Sequence, residues 1–562
     1  MDFLDARRLT GPNLLCDGPG SILDIACTPE EIAGIRATWL DCVHEAADAM
    51  GWTISTHVLP IEGGVSLVFE APIDALYAAS AVNEWAWECM LARATGEDPP
   101  PLETAQPAIT DALAEERNAA MMSLQDAAAG AGVTFLWDDD EVSLGMGVAS
   151  QTWPFSECPD GSGLDFGEYR DIPVGIITGT NGKTTCTRIA SLILRAAGYS
   201  TGVSCTDWLA VDDDIIDRGD WSGPGGARTI LRQQNVSAAI LETARGGLLR
   251  RGLGINRADA ALITNIAEDH LGDFGSGNLE ELLAIKWIVS RAVRKSGTLV
   301  LNADDERLVN QARDYPGTIR WFSLEASSGA INEATNRGES VFVCEGDELL
   351  MVERGSRTTI CRVSDVPITL GGAARHNTAN ALAAAALTHA MGVGIDDIAG
   401  ALHRVTQEDN PGRCNVYPVG GAKVLVDFAH NPHAMAALFQ MAQGIPARRR
   451  LLAFGQAGDR PDRSIRELTR AAWEIGLDAV YVSELPEYHR GREYGEVYDI
   501  ITTELAACGA NPDEYRHFEK ETGALESALA WAEPGDLVIM LALGERDAIR
   551  DRLASLAEAA SG

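Results

Sequence analysis

The sequence has no C-x-x-C pair and no apolar run near the ~18–20 residues that cross a bilayer, and its basic residues are few. Each lack removes a class of function. Eleven cysteines scattered without paired spacing imply reduced thiols and argue against a zinc ribbon. Without a long apolar run, no membrane-spanning helix is expected. Lys and Arg number 45 against 82 Asp and Glu, for a net charge of −37, which repels nucleic-acid phosphates over most of the surface. Such a charge suits a cationic or zwitterionic co-substrate, or serves solubility alone. The opening Met1-Asp2-Phe3-Leu4-Asp5 lacks a basic segment leading into an apolar core. No signal peptide is therefore expected, and the expected compartment is the cytoplasm. There is also no internal repeat.

What is present is a globular composition, 46% hydrophobic and 23% charged over 562 residues. That length implies several cores. Residues 1–165 read as a separate α+β unit, with a hairpin of 52–60 and 65–70 around Glu62-Gly63-Gly64. Helices are expected over 74–93 and 104–129, and short strands over 134–137 and 142–144. The Pro/Gly/Ser/Asp-rich stretch 154–165 reads as a linker. From Pro173 apolar strands (174–177, 238–241, 260–264, 298–301) alternate with helical segments, which implies a parallel sheet covered by helices. A β-rich patch within 319–352 is expected to decorate that sheet. A last α/β segment begins near Pro411, with strands at 423–426, 450–454, 479–482 and 537–540. The expected fold class is α/β, divided as 1–165, 172–410 and 411–562.

The most informative stretch is Gly179-Thr180-Asn181-Gly182-Lys183-Thr184-Thr185, set between an apolar strand and a helical run. Glycines let backbone amides close on phosphate oxygens, the lysine supplies a point charge, and the following hydroxyl can hold Mg²⁺. The full G-x-x-x-x-G-K-[ST] spacing is absent, because Ile177 stands at the first glycine position. Glu242 closes the strand 238–241, a place suited to a second metal ligand, although a lone strand-end glutamate is weak evidence. His270 follows two carboxylates just past the next strand, on the edge where open α/β sheets bind ligands. Alone it is as readily structural. Lys286, in a mostly apolar helix, reads alone as a snorkelling surface lysine.

Together G-T-N-G-K-T-T, the strand-end glutamate, Thr264-Asn265-Ile266…Asp269-His270-Leu271 and the helical Ala284-Ile285-Lys286 resemble the Mur ligase superfamily. Later segments agree: Arg375-His376-Asn377-Thr378-Ala379-Asn380, Asn410-Pro411-Gly412-Arg413, Asp427-Phe428-Ala429-His430-Asn431-Pro432 and Gly455-Gln456-Ala457-Gly458-Asp459-Arg460. Within the family, Leu9-Thr10-Gly11-Pro12-Asn13-Leu14, 219–224, 241–250 and 490–496 resemble the cyanophycin synthetase branch. That branch carries an ATP-grasp domain where this chain has a short linker after Gly147, which implies loss of the two-step polymerase activity. Thr206-Asp207-Trp208 departs from the branch's T-D-G, and bears on substrate identity.

The resemblance implies a P-loop central domain, an α/β C-terminal domain and a carboxylate–amine ligase that works through an acyl phosphate. It implies ATP and two Mg²⁺, one held by Thr184 and Glu242 and the second by His270. Lys286 matches a position that many relatives carbamylate, which reverses its sequence-only reading. Lys183, Glu242, His270, Lys286 and Arg413 are the implied catalytic set. Asn377 and Asn380 would serve the adenine, Asp427 the ribose, and Arg413 a phosphate on domain closure. His430 and Asp459 are candidates for the amine side, or are structural. The expected partners are a small or peptide-like carboxylate and an amino acid or amine, with neither nucleic acid nor membrane, and with a homo-oligomer left open. An ammonia-using amidotransferase subunit and a non-catalytic nucleotide-binding regulator are the alternatives.

Overall fold

The computed structural model describes residues 1–268 and 278–561. Among these, the amino-terminal unit has a four-stranded antiparallel sheet in the order Asp2–Leu9, Gly20–Ala26, Gly64–Glu70, Thr56–Ile61. Helices Ile32–Met50 and Leu76–Thr95 bury Trp39, Val43, Val82 and Trp85 against Leu23, Ile25, Leu67 and Phe69 of its inner face. The expected hairpin is there, turning on Glu62-Gly63, with Ile61 paired to Gly64. Gly63 has φ +75, which favours glycine at that corner.

The helix expected over 104–129 is two, Gln106–Glu116 and Ala119–Ala131. Arg117 is extended, and the Asn118 side chain caps the second helix by accepting from the Met121 amide at 3.0 Å. Residues 154–165 are also no free linker. Phe155, Cys158 and Leu164 pack on the amino-terminal core, and Asn118 Nδ2 and Ser123 Oγ donate to the carbonyls of Phe155 (2.9 Å) and Asp160 (2.8 Å).

The central sheet has eleven described strands. Seven run parallel, in the order Thr201–Ser204, Ala238–Glu242, Val174–Thr178, Ala258–Ile263, Val293–Asn302, Thr318–Ser323, Ser340–Glu345. Their buried apolar runs meet helices on both faces, as parallel strands require. The patch expected to decorate this sheet continues it instead. Thr318–Ser323 and Ser340–Glu345 are parallel members, and only Glu348–Glu353 and Ser356–Arg362 fold back as an antiparallel hairpin.

The third sheet runs Asn415–Val419, Ala422–Asp427, Leu537–Leu541, Arg450–Phe454, Ala479–Ser483, Tyr515–Phe518, parallel except for its first pair. Its edge strands were not legible in the sequence, because Asn415–Val419 and Tyr515–Phe518 are only half-buried and carry no continuous apolar run. Among the described residues no helix is long and apolar enough to cross a membrane.

Candidate active site

The strand Val174–Thr178 feeds a loop that ends at Gly182, the residue before helix Lys183–Ala196. Gly179 (φ +143) and Gly182 (φ +83) are required twice over. A Cβ on Gly182 would sit 2.3 Å from Asn380 Oδ1, and one on Gly179 would sit 1.8 Å from Thr264 Oγ1. The loop is therefore pressed between helix Arg375–Ala390 and the end of strand Ala258–Ile263.

Polar contacts fix its shape. The Thr180 amide donates to the Asn265 carbonyl (2.9 Å), and the Asn181 amide to Asn265 Oδ1 (3.0 Å). Thr264 Oγ1 donates to the Asn181 carbonyl at 2.6 Å. Two ammonium groups hold loop carbonyls, Lys183 Nζ on Thr180 (3.0 Å) and Lys286 Nζ on Gly179 (2.8 Å). Lys286, on helix Leu279–Trp287, is 4% exposed, so the snorkelling reading is wrong. Its helix turns it under the loop rather than into solvent.

Glu242 ends strand Ala238–Glu242 and is 1% exposed. Its Oε1 accepts from Thr206 Oγ1 (2.9 Å) and Thr184 Oγ1 (3.2 Å). Burial pushes its carboxyl above the usual carboxylate range, against the opposing pull of Lys183 and the two hydroxyls. A buried carboxylate flanked by two hydroxyls is a hard, all-oxygen donor set, so these residues fit Mg²⁺. His270 lies outside the described residues.

A cleft of about 990 Å³ opens above the loop, walled on its far side by the third sheet. Asp427, at the end of Ala422–Asp427, lines it and accepts from the amides of Cys414 (2.8 Å) and Ala429 (2.6 Å). Asn377 and Asn380 also line it, Asn380 Nδ2 donating to Asn377 Oδ1 (3.3 Å) and Asn377 Nδ2 to the Ile368 carbonyl (3.0 Å). His430 is in the wall, its Nδ1 3.0 Å from the Phe428 carbonyl. Asp459 is paired with Arg490.

Two sets of contacts cross the cleft. Asn181 and Asn431 exchange side-chain amide bonds (2.9 and 3.2 Å), and His433 Nδ1 stands 2.9 Å from Asn181 Nδ2. Asp207 draws three arginines, Arg188 at 2.5 Å, Arg546 at 3.8 Å and Arg413 at 4.0 Å.

Residues 177–388 match the Mur ligase middle domain, and residues 412–544 match the Mur ligase glutamate ligase domain. The chain belongs to the Mur ligase family. Cyanophycin synthetase from Nostoc sp. is 34% identical over 373 residues, 66% of this chain and 41% of that protein. The chain thus matches about two fifths of that relative's length. UDP-N-acetylmuramoyl-L-alanyl-D-glutamate--2,6-diaminopimelate ligase from Bacillus cereus is 26% identical over 66% of this chain and 72% of its own. E. coli FolC with ADP shares the fold at TM-score 0.51 and 20% identity, over 69% of this chain and 90% of that one.

In this family member the structure brings Lys183, Thr184, Glu242, Lys286, Asn380, Asp427 and Arg413 around one cleft or under its floor. Three residues were given no site role in the sequence. Thr206 gives Glu242 its nearest hydroxyl, and sheet order could have found it, since strand Thr201–Ser204 lies beside Ala238–Glu242 with Ser204 opposite Leu241. Arg546 has no local signal. It stacks 3.5 Å from the centre of the Phe428 ring, on which Arg413 also packs at 4.7 Å. The third is Arg188, whose guanidinium lies 4.3 Å from the Trp208 ring. Trp208, the departure from T-D-G, thus backs the Arg188–Asp207 pair.

Proposed function

We propose that this chain is an ATP-dependent ligase joining a carboxylate to an amine as a peptide or isopeptide bond, through an acyl phosphate, with release of ADP and phosphate. The observation that carries the reading is the meeting of Lys183 and the Thr184–Thr206–Glu242 oxygen cluster at the floor of a cleft shared by two domains. Its relatives' names, a synthetase and a 2,6-diaminopimelate ligase, support the same chemistry.

Carboxylates are poor electrophiles, so phosphorylation must supply a leaving group. A substrate carboxylate oxygen attacks the γ-phosphorus and the bond to ADP breaks. The amine nitrogen then attacks the acyl carbon, phosphate departs, and the nitrogen loses a proton. Lys183 and the loop amides hold the phosphates. Thr184, Thr206 and Glu242 would hold Mg²⁺, which supplies positive charge against the phosphoryl oxygens. By resemblance, His270 would serve a second Mg²⁺. Asn377 and Asn380 face the adenine and Asp427 the ribose. Arg413 reaches phosphate as the domains close, exchanging Asp207 for it.

We further propose that residues 1–165 present the carboxylate substrate, with 172–410 binding ATP and 411–562 closing over it. By resemblance, the ATP-grasp domain of the cyanophycin synthetase branch has no counterpart in residues 148–173, and a single ligation chemistry is proposed. The eleven free cysteines and the use of ATP suit the cytoplasm. The test is ADP release measured across carboxylate–amine pairs. Release requiring both substrates, and lost in Lys183→Ala by ~10²-fold or more, is expected. Full coupled turnover in Lys183→Ala would overturn the mechanism.

A further inference from the structure

Apart from the residues lining the cleft, three side chains of different chemistry meet on the outer face of the amino-terminal sheet. Cys16 Sγ, one ring nitrogen of His57 and a carboxylate oxygen of Glu70 all lie within 4.8 Å of one another. Register brings two of them together. His57 is paired with Val68 across the Thr56–Ile61 and Gly64–Glu70 strands, so Val68 and Glu70, two residues apart, share its face. Cys16 reaches the same place from the loop between the first two strands, packed with Leu9, Ile22 and Val68.

The pocket is built. Asn13 Oδ1 accepts from the Leu15 and Cys16 amides (2.9 and 3.0 Å), and Asn13 Nδ2 lies 3.1 Å from Cys16 Sγ. Cys16 is 3% exposed. His57 Nε2 is shut from water without a hydrogen-bond partner, and the nearest Glu70 oxygen is 3.9 Å away, beyond hydrogen-bond reach. A ring nitrogen held there has no protein group to satisfy it.

We propose that Cys16, His57 and Glu70 bind one divalent transition-metal ion, of which Zn²⁺ fits best. Thiolate, imidazole and carboxylate together suit a borderline ion, and not Mg²⁺, which takes oxygen. Three protein ligands leave a fourth position for water. The Cys16 proton is released on binding, and no electron is transferred. The ion ties the loop 10–18 to two strands of the sheet. That loop is also one of the segments that dock the amino-terminal unit on the central domain, beside the Arg232 contacts to Asp138 and Glu141. The Thr10 amide donates to the Arg251 carbonyl (2.8 Å), the Leu253 amide to the Pro12 carbonyl (2.7 Å), and Arg291 to Asp17 (2.5 Å). The ion is thus a staple behind an inter-domain joint.

The test is titration of the full chain, stripped with a chelator, by Co²⁺ and then Zn²⁺. One equivalent of Co²⁺ is expected to give a near-ultraviolet thiolate charge-transfer band that Zn²⁺ bleaches. Cys16→Ser should abolish the band, while His57→Ala and Glu70→Gln should weaken binding ~10-fold or more. In the unaltered chain, Zn²⁺ should slow alkylation of Cys16, mapped by mass spectrometry, and leave the other cysteines unchanged. This arm does not depend on any variant folding. Absence of the band together with unchanged Cys16 alkylation would overturn the proposal, as would a band that persists in Cys16→Ser. Mg²⁺ at the cleft gives neither signal, so the outcome is independent of the ligase reading.

Discussion

At the scale of single residues, the two cleft lysines stand out because lysine is so rare. The chain has five lysines, at 183, 286, 295, 423 and 520, and relies on arginine elsewhere. A compact ammonium suits a loop carbonyl, where the larger guanidinium fork does not fit, and only lysine can be carbamylated. Lys286 donates to Gly179 from beneath the loop, and a carbamate nitrogen keeps one N–H for that bond. Its new carboxylate would add an oxygen on the metal side. Turnover is therefore expected to fall ~10-fold or more in buffer stripped of CO₂, and to return with bicarbonate. Lys286→Ala should be slow in both. A wild-type rate indifferent to bicarbonate would leave Lys286 as the uncarbamylated cation that donates to Gly179. Lys286 also shows where the sequence runs out. Its helix was legible from its apolar residues, but burial under the loop follows from the sheet order that brings helix Leu279–Trp287 below it.

At the scale of elements, the interior strands were readable from their unbroken apolar runs, 238–241, 260–263 and 537–541. Edges and element ends were not, because their stability comes from side chains distant in sequence. Asp536, just before Leu537–Leu541, is an example. It is 1% exposed and accepts from Arg449 Nη2 (2.5 Å), Arg448 Nε (3.2 Å) and the Glu533 amide (2.9 Å). These bonds pin the entries of two neighbouring parallel strands, Arg450–Phe454 and Leu537–Leu541. Burial alone would raise the Asp536 carboxyl, but the two arginines and the amide hold it at about 2. An acid with a depressed folded pKa adds stability above its unfolded value, near ~3.9, and that stability is lost as pH falls toward ~2. The third sheet should therefore weaken over this window. Asp536→Asn should cost ~1–2 kcal/mol at neutral pH, discounted because both arginines are partly exposed, and should flatten the acid limb. Urea unfolding read by tryptophan fluorescence checks this, since Trp531 packs under Arg449 at 4.2 Å. An unchanged acid limb in Asp536→Asn would show that other carboxylates govern it.

At the scale of the whole molecule, charge is unevenly spread. Residues 1–165 carry 28 carboxylates against five arginines and no lysine, so most of the net negative charge sits away from the cleft. Beside the cleft, arginines from separate domains converge on Asp207. Asp207 lies just past strand Thr201–Ser204 of the central sheet, while Arg546 opens helix Arg546–Ser561 and Arg413 stands where the third domain begins. Burial lowers the Arg188 and Arg546 guanidinium pKa values, and Arg413 adds to that push in each, with Asp207 opposing it. Remove Asp207 and three cations face each other across the joint with no shared anion. Asp207→Ala should therefore leave Arg188, 5% exposed, without its carboxylate, at ~3 kcal/mol, and open the cleft by repulsion of Arg188 against Arg413 and Arg546 on the facing domain. The expected result is a larger radius of gyration in solution scattering without nucleotide, and an ADP-release rate reduced ~10-fold or more. Arg546→Ala in the Asp207→Ala background should recover part of the compactness, because it removes one of the repelling charges. If Asp207→Ala stays as compact as the parent, the Asn181–Asn431 pair and His433 hold the domains together, and Asp207 serves only to place Arg188.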